Sequence, residues 1–131
     1  MTGLVPYLSF AGTARDALTF YRDIFGGDLV LNTFTEFGRN DGPPTAIAHG
    51  ILRGPVDLFG ADVGKDESPL AVQGLMFSLL GTAEPGVLRQ WFDALSDGGV
   101  VNDDLQQRPW GAYDGQVTDR FGIRWLIGYE D

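Results

Sequence analysis

Few side chains in this 131-residue sequence combine titratable chemistry with a position on a regular element, and the scarcest is histidine, present once as His49. An imidazole titrates near neutral pH, so a lone histidine can shuttle a proton with a phenol assisting, here Tyr7 or Tyr113. The pattern Thr45, Ile47, His49, Ile51 places it on an apolar strand face, where a hydrogen-bonded packing histidine is the competing reading. Tyr7 and Ser9 lie at alternate positions of the first apolar run, on its second face. Trp110, Tyr113, Gln116 and Trp125 cluster around Tyr113 to Thr118, Asp119-Arg-Phe-Gly122 and Ile123 to Tyr129, which together predict a β-hairpin. Rigid aromatics there can wall a small-molecule site or fill a core. Asp62 and Glu130 end equivalent runs and are expected to be solvated, as are Asp66-Glu67 and Asp103-Asp104. Arg124 alternates away from Trp125, free to meet an acid or a ligand anion. Phosphate-loop, nucleophile-elbow, zinc-helix and dinucleotide motifs are all missing from the sequence.

Eighteen acidic residues against nine basic ones give a net charge of −9. That balance repels phosphate backbones and anionic lipid, so neither nucleic acid nor a membrane is expected as a partner. With no cysteine, thiolate chemistry and disulfides are excluded. The start has neither a basic region followed by an apolar run nor any long apolar stretch, which leads to the expectation of a soluble, cytoplasmic protein.

The elements that must position these residues come in two rounds. Leu4 to Phe10 alternates as a strand; Thr13 offers an N-cap for a helix with apolar residues at Ala14, Ala17, Leu18, Tyr21, Ile24 and Phe25, stopped by Gly26-Gly27. Strands follow at Leu29 to Thr35, Thr45 to Arg53 and Val56 to Ala61, with Gly38 to Pro44 an unpatterned loop. After a polar stretch from Asp62 to Pro69, Val72 to Leu80 begins again, and Gly81-Thr-Ala repeats Gly12-Thr-Ala. A helix from Pro85 carries Leu88, Trp91, Phe92 and Leu95 as a core stripe and stops at Gly98-Gly99. Strands at Val100 to Gln107, Tyr113 to Thr118 and Ile123 to Tyr129 complete the round. Leu126-Ile-Gly-Tyr-Glu lies 68 positions after Leu58-Phe-Gly-Ala-Asp, a second internal match. The class is therefore α+β, two tandem βαβββ modules (about 1–62 and 71–131, joined by 62–70) in one domain, with curled antiparallel sheets forming a trough.

With the repeat in view, Pro6-Tyr-Leu-Ser-Phe10, Ala17-Leu-Thr-Phe-Tyr-Arg-Asp-Ile-Phe-Gly-Gly27, Pro109-Trp-Gly111 and Val117-Thr-Asp-Arg-Phe-Gly-Ile-Arg-Trp125 resemble the vicinal-oxygen-chelate superfamily. That group includes glyoxalase I, extradiol dioxygenases and bleomycin-resistance proteins; within it the chain is similar to the PhnB-like, demethylubiquinone-methyltransferase-like branch. The resemblance implies a homodimer, as does the need to cover open sheet edges. It also implies metal-ligand positions at Tyr7, Met76, Leu126 and its repeat mate Leu58. One phenol, one thioether and two hydrocarbons are poor ligands for a hard divalent cation. The expectation is therefore a metal-independent small-molecule binder, without cofactor, using Tyr7, Ser9, His49, Trp110, Tyr113, Gln116 and Trp125. A metal-dependent lyase, dioxygenase or resistance enzyme of the same superfamily, a metal-free lyase or isomerase built on His49 with Tyr7 or Tyr113, and a non-catalytic dimeric structural protein are the alternatives.

Overall fold

The computed structural model describes residues 3–130. Among them run β1 (Tyr7–Phe10), α1 (Ala14–Phe25), β2 (Asp28–Thr33), β3 (Ile47–Arg53), β4 (Leu58–Asp62), β5 (Phe77–Leu80), α2 (Pro85–Ser96), β6 (Val100–Gln107), β7 (Tyr113–Thr118) and β8 (Arg124–Tyr129). The chain divides into two compact units, Met1–Leu70 and Ala71–Asp131, and each holds one βαβββ module.

In the first unit the strands lie in the order β1-β4-β3-β2. The β2–β3 and β3–β4 pairs are antiparallel, but β1 runs parallel to β4, so the sheet is mixed where alternation alone suggested an antiparallel one. The reason is the crossover: α1 carries the chain over one face, and β4 returns beside β1 in the same direction. Ala14, Ala17, Leu18, Tyr21 and Phe25 are the buried stripe of α1. Gly50 of β3 lies beneath Leu18 so closely that an added Cβ would collide with Leu18 Cδ1, which lets the helix settle directly on the backbone. The helix ends at Gly26, whose φ of 82° is a left-handed conformation suited to glycine.

Thr13 does precede α1, but its side chain makes no capping hydrogen bond. Asp62, from the far end of β4, does that work: its Oδ1 accepts from Ala14 N at 2.9 Å and its Oδ2 from Ile47 N at 2.8 Å. The parallel pairing of Phe10 with Asp62 delivers the carboxylate to the helix start. Asp62 is thus a buried structural anion, 4% exposed, and not the solvated strand end that its polarity suggested.

The second unit repeats the plan in the order β5-β8-β7-β6, again with one parallel pair, β5–β8. Leu88, Trp91, Phe92 and Leu95 form the buried side of α2, which packs on β6, β7 and β8. Here the buried carboxylate is Asp119, in the hairpin turn. Its Oδ1 accepts from Phe121 N and Ile123 N at 2.8 and 3.1 Å, and its Oδ2 from Trp125 Nε1 at 2.9 Å.

The first strand of each module is shorter than its apolar run. The parallel ladder covers only Tyr7–Phe10 and Phe77–Leu80, and Leu4 is fully exposed, because β4 and β8 reach no further. The second strand stops at Thr33, where Thr33-Phe-Thr-Glu36 folds into a reciprocal turn: Thr33 N donates to Glu36 Oε1 and Glu36 N to Thr33 Oγ1, at 2.8 and 3.2 Å. These bonds hold the Glu36 carboxyl below its usual range. Arg39 then ties the following loop to the polar stretch, bonding Asp41 at 2.6 Å and Glu67 at 3.1 Å, while Glu67 also accepts from Gly64 N at 2.6 Å. Glu67 therefore organises a loop where free surface charge was expected.

Removing either buried carboxylate strands two or more donors. Asp62→Ala and Asp119→Ala should each lower stability by roughly 2–4 kcal/mol in urea unfolding, whereas exposed Glu130→Ala should change it by less than about 0.5 kcal/mol. Equal effects of Asp62→Ala and Glu130→Ala would contradict the anchoring role.

Candidate functional site

Each sheet has one face under its helix and one turned away from it. In the first unit the cross-strand register places Tyr7 opposite Phe59, Phe59 and Val30 opposite Ile51, and Asn32 opposite His49, all on the helix-free face. Ile47 is buried and donates its N–H to Asp62; a bulge in the β2–β3 ladder at Asn32/Thr33 then separates it from His49, two residues later, which pairs with Asn32.

There the Tyr7 hydroxyl and His49 Nδ1 are 2.8 Å apart, and the two rings stack with centroids 5.6 Å apart. Phe37, from the turn closed by Thr33 and Glu36, stacks on the imidazole at 6.3 Å, and Phe59 meets it edge-on at 6.2 Å. The guanidinium of Arg53 covers Phe59 at 4.9 Å. Burial pushes the Tyr7 phenol above its ordinary pKa; Arg39 opposes this and Glu67 adds to it. The phenol therefore stays protonated at neutral pH, and the imidazole tautomer sets whether the hydroxyl or Nδ1 donates in this bond. The pair lies beside a ring surface of which Tyr7 and Phe37 remain 51% and 53% exposed.

Of the seven residues expected at a site, Tyr7 and His49 are brought together, and Ser9 shares their face, paired with Ala61. The other four belong to the second unit. Gln116 is on its helix-free face, opposite Leu126, and its Oε1 accepts from Arg124 Nη2 at 2.6 Å. Trp110 is in the β6–β7 turn and 73% exposed; Arg108 orders that turn by bonding Asp103 and Asp114 at 2.5 and 2.8 Å. Tyr113 and Trp125 lie on the helix-facing side. Tyr113 faces α2, stacked on Tyr129 at 5.0 Å with Arg89 5.7 Å from its ring, and so is not on the face that bears Gln116. Trp125 is core, 1% exposed, edge-on to Phe77 and bonded to Asp119. Both sit at odd positions of the hairpin, and the odd set is the helix-facing set.

The pleat also corrects one assignment drawn from the repeat. Leu58 pairs with Leu52 on the helix side and is 1% exposed, whereas Leu126 pairs with Ser78 on the helix-free face, so the two are out of phase. Aligning Gly12-Thr-Ala with Gly81-Thr-Ala matches Ser9 to Ser78, and their partners Ala61 and Leu126 become counterparts. Ala61 supplies no more of a ligand than Leu58. Among the described residues no group of three or more His, Asp or Glu side chains is placed to hold a metal ion.

Phe37 and Phe59 escaped sequence reasoning. The Thr33-x-x-Glu36 box was a signal for the turn that carries Phe37, while Phe59 needed the β3–β4 register.

The architecture of two βαβββ units, each a mixed sheet under one helix, defines the class. The chain belongs to the Glyoxalase/Bleomycin resistance protein/Dioxygenase superfamily, whose family pattern matches residues 3–127. It is 30% identical to Protein YjdN of Escherichia coli (strain K12) over 140 residues, covering 95% of this chain and 92% of that protein. The crystal structure of protein PA1353 from Pseudomonas aeruginosa is similar at 30% identity and a TM-score of 0.81, covering 99% and 98% of the two chains. A putative 3-demethylubiquinone-9 3-methyltransferase, PhnB protein, from Bacillus cereus shares the fold at 17% identity and a TM-score of 0.81, covering 98% and 99%. Among the described residues no helix is long and apolar enough to cross a membrane.

Two outcomes follow. The raised Tyr7 pKa means that the folded protein holds this proton more tightly than the unfolded chain, so its contribution is complete below the phenol's ordinary pKa near 10 and is lost as pH climbs through the folded value. Phenolate absorbance should show a late-titrating component that is reduced in Tyr7→Phe. Trp110→Ala, at an exposed turn, should alter unfolding free energy by less than about 0.5 kcal/mol; a larger loss measured in urea would make Trp110 a structural residue.

Proposed function

We propose that the protein binds a small molecule without a catalytic metal, in the manner expected of a PhnB-like protein, on the helix-free face of its first module. The observation that carries this reading is the Tyr7–His49 pair, hydrogen-bonded at 2.8 Å and walled by Phe37 and Phe59. Such a surface suits a ligand with a planar or apolar part to lie on the rings and a polar group to meet Nε2 or the phenol. Ser9 is placed to contribute from the adjoining strand.

The family's divalent metal does not fit the donors in hand. Tyr7, Met76, Leu126 and either Leu58 or Ala61 provide no imidazole or carboxylate. A metal-free lyase or isomerase is the second reading, favoured by the same short Tyr7–His49 contact, which lets the imidazole take or give a proton with the phenol holding its orientation. A cytoplasmic homodimer completes the proposal; exposed Val100 and Val101 on the edge strand β6, 61% and 41% exposed, are apolar surface that a second copy would cover.

Native mass spectrometry of protein purified without chelator or metal-affinity resin reads metal, ligand and oligomer together. The expected result is a dimer mass with no stoichiometric metal after zinc, nickel or manganese titration. Any co-purifying small molecule should be lost, with binding weakened roughly tenfold or more, in His49→Ala and Phe37→Ala variants that still fold. Stoichiometric metal abolished by His49→Ala would overturn the metal-free reading.

A further inference from the structure

The second module carries a feature that the first-module surface does not use. On its helix-free face, Gln116 and Arg124 join Gly74, Leu75 and Met76 around a concavity of about 320 Å³. Arg124 is half-buried there, and its Nε is shielded from water without a hydrogen-bond partner. Arg22, Arg39, Arg108 and Arg120 each hold a carboxylate. Arg124, in a chain with twice as many acids as bases, bonds only a neutral amide, Gln116 Oε1 at 2.6 Å. A guanidinium fork is built to receive two oxygens of one anion side by side, and a buried donor left unmet is costly.

We propose that this concavity is an oxyanion subsite. Arg124 takes the carboxylate or phosphoryl oxygens of a small ligand, and the Gln116 oxygen is the stand-in acceptor which that ligand displaces. Once displaced, the Gln116 amide can turn its NH2 toward the same anion. Leu75 and Met76, 53% and 39% exposed, offer an apolar wall for the remainder of the ligand. The overall charge of −9 disfavours anions at a distance, but over more than about 8 Å that field is screened at physiological salt, whereas the fork acts in contact. The subsite should therefore select small oxyanions by geometry and stay silent to chloride.

The test is an NMR titration of nitrogen-15-labelled full-length protein with sodium acetate, and separately with inorganic phosphate, at constant ionic strength with sodium chloride as the reference. The expected result is a saturable movement of the Arg124 Nε–H and Gln116 side-chain amide signals. Movement with acetate alone assigns a carboxylate site, with phosphate alone a phosphoryl site, and with both a general oxyanion site. Arg124→Gln should weaken the response roughly tenfold or more. Gln116→Glu should abolish it, because a tethered carboxylate then occupies the fork, and this variant keeps the test decisive if Arg124→Gln fails to fold. No movement with either anion, or an undiminished response in folded Gln116→Glu, would overturn the proposal. His49→Ala should leave the titration unchanged, so failure here is distinguishable from failure of the first-module site.

Discussion

The first module hangs on one buried carboxylate. Asp62 closes β4, caps the first residue of α1 and grips the N–H that begins β3. Burying an anion is expensive, and only donors in fixed positions repay it, so helix start, central strand and parallel strand pair are held in one geometry. His49 lies two residues beyond that grip, which is why the imidazole reaches the Tyr7 hydroxyl from a strand and not from a loop. Asp119 does the corresponding task in the second module by other means, folding its own turn and pinning the indole of Trp125 beneath α2.

Both modules use the same division of labour between faces. One face of each sheet is closed by its helix with apolar side chains such as Leu18 and Leu52, or Val117 and Trp125. The other is left to aromatic, imidazole and guanidinium groups, and the two modules differ in what they put there. The first carries a ring surface around a phenol–imidazole pair; the second carries an arginine with a neutral partner and an apolar rim.

The superfamily scaffold is commonly associated with metal chemistry, yet the fold alone demands none of it. The strand and helix framework depends on Gly50 beneath Leu18, on glycines at helix ends and on the two buried aspartates. Of the positions that a metal would use, Tyr7, Met76 and Leu126 are outside the buried core, while Leu58 is part of it. Donor chemistry can therefore change on the helix-free faces while the helix-covered cores stay the same.

The sequence by itself determined the order and kind of the elements, because helical and strand periodicities and glycine stops are local properties of the chain. It also determined the repeat, and with it the family, since Gly12-Thr-Ala and Gly81-Thr-Ala stand in the string. The tertiary structure alone decided which face each residue occupies: Trp125 and Tyr113 turned out to be helix-facing, and Leu58 out of phase with Leu126, because a one-residue offset in a pleated strand exchanges its faces. It alone decided that Asp62 is a cap and Phe59 a neighbour of His49. Those roles arise from pairing between segments far apart in the chain, where β4 returns beside β1 and against β3, and no local pattern of residue types encodes that register.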